Sequence, residues 1–130
     1  MNRFLAACGL SLAASLVGCL SERPRPAPPV VSITLDKDSV RSATNPPDTL
    51  TGTLRAQDAD GIDSVWLQLD DDPPIAEDGL LQTSFQSPFR VVVPAGFSSG
   101  ARLPLTLEAR DVTGFRSVLD TMVRVARAGP

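Results

Sequence analysis

The segment "RLPLTLEARD", Arg102 to Asp111, places Leu103, Leu105, Leu107 and Ala109 at every second position. Successive side chains of a strand point to opposite faces, so this run has one apolar face and one wet face. The same period returns along the chain. "VVSITLD" aligns Val31, Ile33 and Leu35; "TLTGTLRAQD" aligns Leu50, Leu54 and Ala56; "IDSVWLQLD" aligns Val65, Leu67 and Leu69. "LLQTSF" and "PFRVVVP" are shorter candidates, the second opening on Pro88 as an edge strand tolerates, and a last run covers Phe115 to Ala126. No apolar stripe of helical period lies between them. Twelve prolines and nine glycines supply the turns. About seven short strands in roughly a hundred residues predict an all-β fold, an antiparallel sandwich of two sheets around one core.

The N-terminus follows different rules. In "MNRFLAACGLSLAASLVGCL", Arg3 precedes an uncharged apolar stretch from Phe4 to Val17. That stretch is short for a membrane span and suits the core of a secretory signal. It closes on Leu16-Val17-Gly18-Cys19, which resembles the lipobox of bacterial lipoproteins. The resemblance implies signal-peptidase recognition through Leu16, Val17 and Gly18, and cleavage after Gly18. It also implies a diacylglyceryl group on the Cys19 thiol, with further acylation of the mature N-terminus. Several acyl chains, at about 0.8 kcal/mol per buried CH₂, make a firm anchor. Leu20 rather than aspartate follows Cys19, which in Gram-negative lipoproteins implies the outer membrane; elsewhere the outer face of the plasma membrane is implied. The other cysteine, Cys8, lies in the segment to be removed, so no intrachain disulfide is expected.

"SERPRPAPP", Ser21 to Pro29, then reads as a tether. Proline favours extended polyproline II at about 3.1 Å per residue, which holds the domain on the order of 30 Å or less from the lipid. The expected organisation is a signal peptide over 1–18, a lipidated cysteine and proline-rich tether over 19–29, and a sandwich domain over 30–127.

"LRAQDADGIDSVWLQLDDD" and "PFRVVVPAGFSSGARLPLTLEARDVTGFRS" resemble bacterial immunoglobulin-like domains. The resemblance implies strands B and C in the first segment and strands E, F and G in the second. Two departures stand out. Leu103 occupies the place where many sandwiches put a tyrosine corner, and no cysteine pair joins strands B and F. A fibronectin type III-like variant fits equally well.

"LRAQDADGIDSV", Leu54 to Val65, is echoed by "LEARDVTGFRSV", Leu107 to Val118. Under the resemblance both turns lie at one end of the sandwich, beside the start of strand A. Asp58 and Asp111 can accept bonds from backbone N–H groups just ahead, and Gly61 and Gly114 permit positive φ. Turn formation therefore accounts for both copies. The alternative is calcium held by Asp58, Asp60, Asp63 and Asp111, because Ca²⁺ takes six to eight oxygens. "DADGID" does not meet the EF-hand pattern, and Thr113 replaces Asp60 in the second copy, so no metal or other cofactor is expected. "DDDPPIAEDG", Asp70 to Gly79, reads as an exposed acidic loop at the opposite end. Trp66 falls on the outer face with Gln68, near Thr106, Glu108 and Arg110. It is either a surface contact for a glycan or protein, or a ring covered by Arg110 in a cation–π contact.

Without histidine or a free mature cysteine, the usual nucleophile–base triads and common zinc sites are out of reach. No glycine-rich phosphate loop occurs, and an acidic balance of −3 disfavours nucleic acid. The expectation is a non-catalytic, membrane-anchored cell-envelope lipoprotein. Its immunoglobulin-like domain would serve protein–protein interaction or envelope structure. The alternatives are a glycan- or calcium-binding module and an accessory subunit of an envelope complex.

Overall fold

The computed structural model describes residues 26–42 and 44–126. Its strands are β1 (Val30–Leu35), β2 (Ser39–Val40), β3 (Thr49–Gln57), β4 (Ile62–Leu69), β5 (Ile75–Asp78), β6 (Ser84–Val92), β7 (Arg102–Asp111) and β8 (Arg116–Val125). Among the described residues there is no helix. The strands form two sheets, one ordered β1-β3-β6 and the other β2-β8-β7-β4-β5. The described residues form an all-β, sandwich-like fold.

Period two decides which side chains enter the space between the sheets. Leu50, Leu54 and Ala56 on β3 are buried, as are Val65, Leu67 and Leu69 on β4 and Leu103, Leu105, Leu107 and Ala109 on β7. Phe85, Phe89 and Val91 of β6 and Val123 and Val125 of β8 complete the core. Val31, Ile33 and Leu35 pack against it from β1 and stay half-buried, because β1 is an edge strand. Gly52 shares the inward phase of Leu50 and Leu54. A Cβ there would meet the Thr34 carbonyl oxygen at 2.2 Å and the Phe89 ring at 2.8 Å, so its missing side chain is what seats Phe89. Leu103 is core, 1 % exposed.

Four features differ from the sequence reading. "LLQTSF" and "PFRVVVP" are one strand, β6, with Pro88 near its middle and opposite Thr53. An edge strand tolerates a proline in its interior because one row of its N–H groups has no ladder partner to lose. Leu80 and Leu81 stand outside that strand in a turn with φ of 54° and 56°, exposed. The acidic stretch is only partly a loop, since Ile75–Asp78 pairs with Ser64–Leu67 as β5 and carries its charges on a short edge. Finally, β2 pairs with β8 in parallel, through Ser39 with Arg124 and Val40 with Val125. The chain crosses from one sheet to the other between Asp36 and Ser39, which imposes that direction.

The crossing is clamped by Asp48. Its carboxylate accepts from the Lys37 Nζ, from the Arg41 backbone N–H at 2.7 Å and from the Thr49 backbone N–H at 2.8 Å. Desolvation raises the Asp48 pKa, but these donors outweigh it and hold the carboxyl below the ordinary range.

Register sorts the connections by end. Val30 lies opposite Gln57 and Ile62 opposite Asp111, so the start of β1 and both doubled turns share one end. The Asp70 N–H donates to Pro104 O and the Gly100 N–H to Val125 O, which places the acidic turn and the end of β8 at the other.

Candidate functional site

The two doubled turns adopt the same local hydrogen-bond pattern. In the first, Asp58 Oδ1 accepts from the Asp60 N–H at 2.7 Å and the Asp58 carbonyl accepts from the Gly61 N–H at 3.3 Å. In the second, Asp111 Oδ1 accepts from the Thr113 N–H at 2.8 Å and the Asp111 carbonyl from the Gly114 N–H at 3.2 Å. Gly61 and Gly114 have φ of 103° and 95°, a region L-residues avoid. The turns are also tied together, because the Val112 N–H donates to Gly61 O at 3.0 Å.

Their environments differ. Asp58 is half-buried and Asp60 exposed, whereas Asp111 is 1 % exposed. Asp111 Oδ1 also takes the Thr113 hydroxyl at 2.8 Å and the Phe115 N–H at 2.9 Å; its Oδ2 is buried with no hydrogen-bond partner among the described residues. Asp63 turns away from this group. Its Oδ2 accepts from Arg110 Nε at 2.9 Å, from Arg110 Nη2 and from the Ser64 hydroxyl at 2.8 Å. The Arg110 guanidinium, helped by Ser64, holds the Asp63 carboxyl below the ordinary range. Among the described residues no three of the carboxylates converge on a point where an ion could sit. The carboxylates of Asp58, Asp63 and Asp111 accept separately from backbone, hydroxyl and guanidinium donors, and Asp60 gives its backbone N–H to Asp58.

The outer face of the five-stranded sheet carries the one tryptophan. Trp66 lies between Ala76 of β5 and Glu108 of β7 and is half-buried. The Arg110 guanidinium carbon stands 5.5 Å from the ring centroid and that of Arg116 stands 5.8 Å away. Each such contact is worth about 0.5–1 kcal/mol at an exposed site. A carboxylate steadies each arginine: Asp63 holds Arg110, and Glu108 accepts from Arg116 Nη1 at 2.7 Å. Shallow clefts flank the ring, one of about 210 Å³ towards Gln68, Pro74 and Thr106 and one of about 310 Å³ towards Ser64, Ala76 and Glu77.

Arg116 is the member of this face that sequence reasoning missed. A signal was present, because closing the β7–β8 hairpin over Asp111–Phe115 sets Arg116 opposite Arg110. Thr106 is present as expected, but its hydroxyl donates to Asp120 at 2.7 Å rather than towards the ring. Leu16, Val17, Gly18 and Cys19, the residues of the lipobox reading, lie outside the described residues. Compared with known proteins, the chain matches no family model, no curated protein and no solved structure.

Proposed function

We propose that this protein is a non-catalytic lipoprotein of the cell envelope, anchored through acylated Cys19, whose immunoglobulin-like sandwich displays an interaction surface or serves envelope structure. The observation that carries the reading is the run Leu16-Val17-Gly18-Cys19 after an apolar core, followed by a proline-rich spacer that ends where β1 begins at Val30. An acylated cysteine followed by about ten residues of stiff, core-free chain holds a folded module at a short fixed distance from a lipid surface. The immunoglobulin-like or fibronectin type III-like assignment draws support from two sheets, ordered β1-β3-β6 and β2-β8-β7-β4-β5, around one core. With β1 starting beside the doubled turns, that end faces the membrane and the acidic turn at Asp70–Asp72 points away.

Labelled palmitate tests the anchor. Wild-type protein expressed in bacteria incorporates it, and Cys19→Ala does not; equal incorporation by the variant overturns the reading. A second reading, glycan binding at Trp66, draws support from the two clefts beside the ring. It predicts a change in Trp66 fluorescence on adding envelope glycan fragments. The guanidinium groups of Arg110 and Arg116 occupy the ring's surroundings and favour the first reading.

A further inference from the structure

The strands that end a sheet expose unpaired backbone groups, and proteins usually protect them. The edge of β6 carries Pro88, and β5 is only four residues long with Glu77 and Asp78 among them. Strand β8 carries charges of both signs, but neither proline nor brevity protects it over most of its length. It is ten residues long, and β2 covers only Arg124 and Val125. Among the described residues nothing pairs with its outer edge from Arg116 to Val123.

The direction of the backbone groups follows from the bonds at the two ends of β8. The Val125 N–H donates to Ala101 and the Phe115 carbonyl accepts from Asp111, so odd-numbered residues bond towards β7. The Ala126 N–H donates to Val40, on the other side. The β7–β8 register runs without a bulge from Arg102–Arg124 to Arg110–Arg116. Arg116, Val118, Asp120 and Met122 therefore direct N–H and C=O groups to the open edge. Their side chains all lie on the exposed outer face, with Val118 and Met122 each 58 % exposed.

Charge along this edge selects a partner. In an antiparallel pairing of β8 with another β8 about a two-fold axis at Val118, Arg116 of each copy meets Asp120 of the other. Val118 then meets its own equivalent. All three pairs are of outward-bonding residues, so the backbone groups can exchange bonds across the axis. Shifting the axis to Leu119 sets Val118 against Asp120 and Arg116 against Met122. Shifting it to Asp120 sets Asp120 against Asp120 and Arg116 against Arg124, like charge on like charge, which is unfavourable. The edge of β1 is also open, but the outward side chains Ser32 and Thr34 carry no charge to choose a register.

We infer that two copies of this chain associate edge to edge through β8, with the two-fold axis at Val118 and reciprocal Arg116–Asp120 pairs, joining their five-stranded sheets into one. A two-fold contact of this kind is self-complementary and closed, so it ends at the dimer. Arg116 keeps its bond to Glu108 while doing so, because a guanidinium has five donors, and Asp120 can accept from Thr106 and Arg116 together. The inference is independent of whether Cys19 is acylated.

Sedimentation velocity of the full-length chain in mild detergent, over a dilution series, tests it. The wild type forms a reversible dimer. Val118→Pro removes an outward N–H without touching the ladder to β7; it yields a monomer with unchanged Trp66 emission. Arg116→Asp and Asp120→Arg each weaken the dimer by about tenfold or more, and the double exchange restores it. Amide exchange at Val118 and Asp120 slows as concentration rises. A wild type that is monomeric throughout overturns the inference. So does a dimer that survives Val118→Pro, or single exchanges that the double exchange does not rescue.

Discussion

The turns Asp58–Gly61 and Asp111–Gly114 have the same sequence grammar and the same hydrogen-bond pattern, yet they sit in different surroundings. In the first, Ala59 and Asp60 are exposed, Asp58 is half-buried and Gly61 is buried against the Leu81 carbonyl. In the second, Val112 to Phe115 are exposed but Asp111 is buried beneath them, with three donors converging on one carboxylate oxygen. Identical local chemistry is therefore of unequal importance. Where water can replace an acceptor, losing the aspartate costs little; where it cannot, the donors are left stranded.

Replacing each aspartate should give the widest separation. Asp111→Ala leaves the Thr113 N–H and hydroxyl and the Phe115 N–H without an acceptor, and should cost about 3 kcal/mol in urea unfolding. Asp58→Ala should cost about 1 kcal/mol or less. Equal losses would mean that burial does not distinguish the turns.

The glycines sharpen the contrast. A Cβ on Gly61 would stand 2.6 Å from the Leu81 carbonyl oxygen, while one on Gly114 meets nothing within 4 Å. Both carry the cost of positive φ, so Gly114→Ala should lose about 1 kcal/mol and Gly61→Ala about 2–3 kcal/mol. Here the order reverses: the first turn, with the less buried aspartate, has the buried and more demanding glycine. Comparable melting temperatures for the two variants would remove that distinction.

The smallest effect is acid sensitivity. Asp63 beside the first turn and Asp48 at the sheet crossing both have lowered pKa values in the folded protein. A depressed carboxyl stabilises the fold fully above its unfolded value, about 3.9, and loses that contribution as pH falls through the lower folded value. Unfolding free energy measured from pH 6 downward should therefore be flat and then decline below about pH 4. Asp63→Asn should shallow the decline. Asp63 is about one-third exposed, so solvent screens its pairing with Arg110 and the change should be modest.

Much of the fold is legible because period two is a local property. Leu103, Leu105, Leu107 and Ala109 declare one face without reference to any other strand, and all four are buried. The Asp-to-Gly turns are legible for the same reason, since Asp58 and Asp111 bond to N–H groups two to four residues on. Features that depend on a distant partner are not legible. Pro88 looks like a strand boundary until β6 is known to be an edge, where the proline sits inside the strand. Ile75–Asp78 looks like loop until Ser64–Leu67 lies beside it.

The outer face shows the same division. Trp66 can be placed outward from the phase of Val65, Leu67 and Leu69 alone. That Arg116 joins Arg110 over its ring depends on the β7–β8 register, and that Glu108 fixes Arg116 depends on that register as well.

By itself the sequence determined the all-β class of the described residues, the inward side chains of their main strands and the chemistry of the two turns, because each arises from residues a few positions apart. Only the tertiary structure decided which strands become edges, which aspartate is buried and which charges line the open side of β8. Those outcomes depend on pairings between residues far apart in the chain, and local propensity carries no record of them.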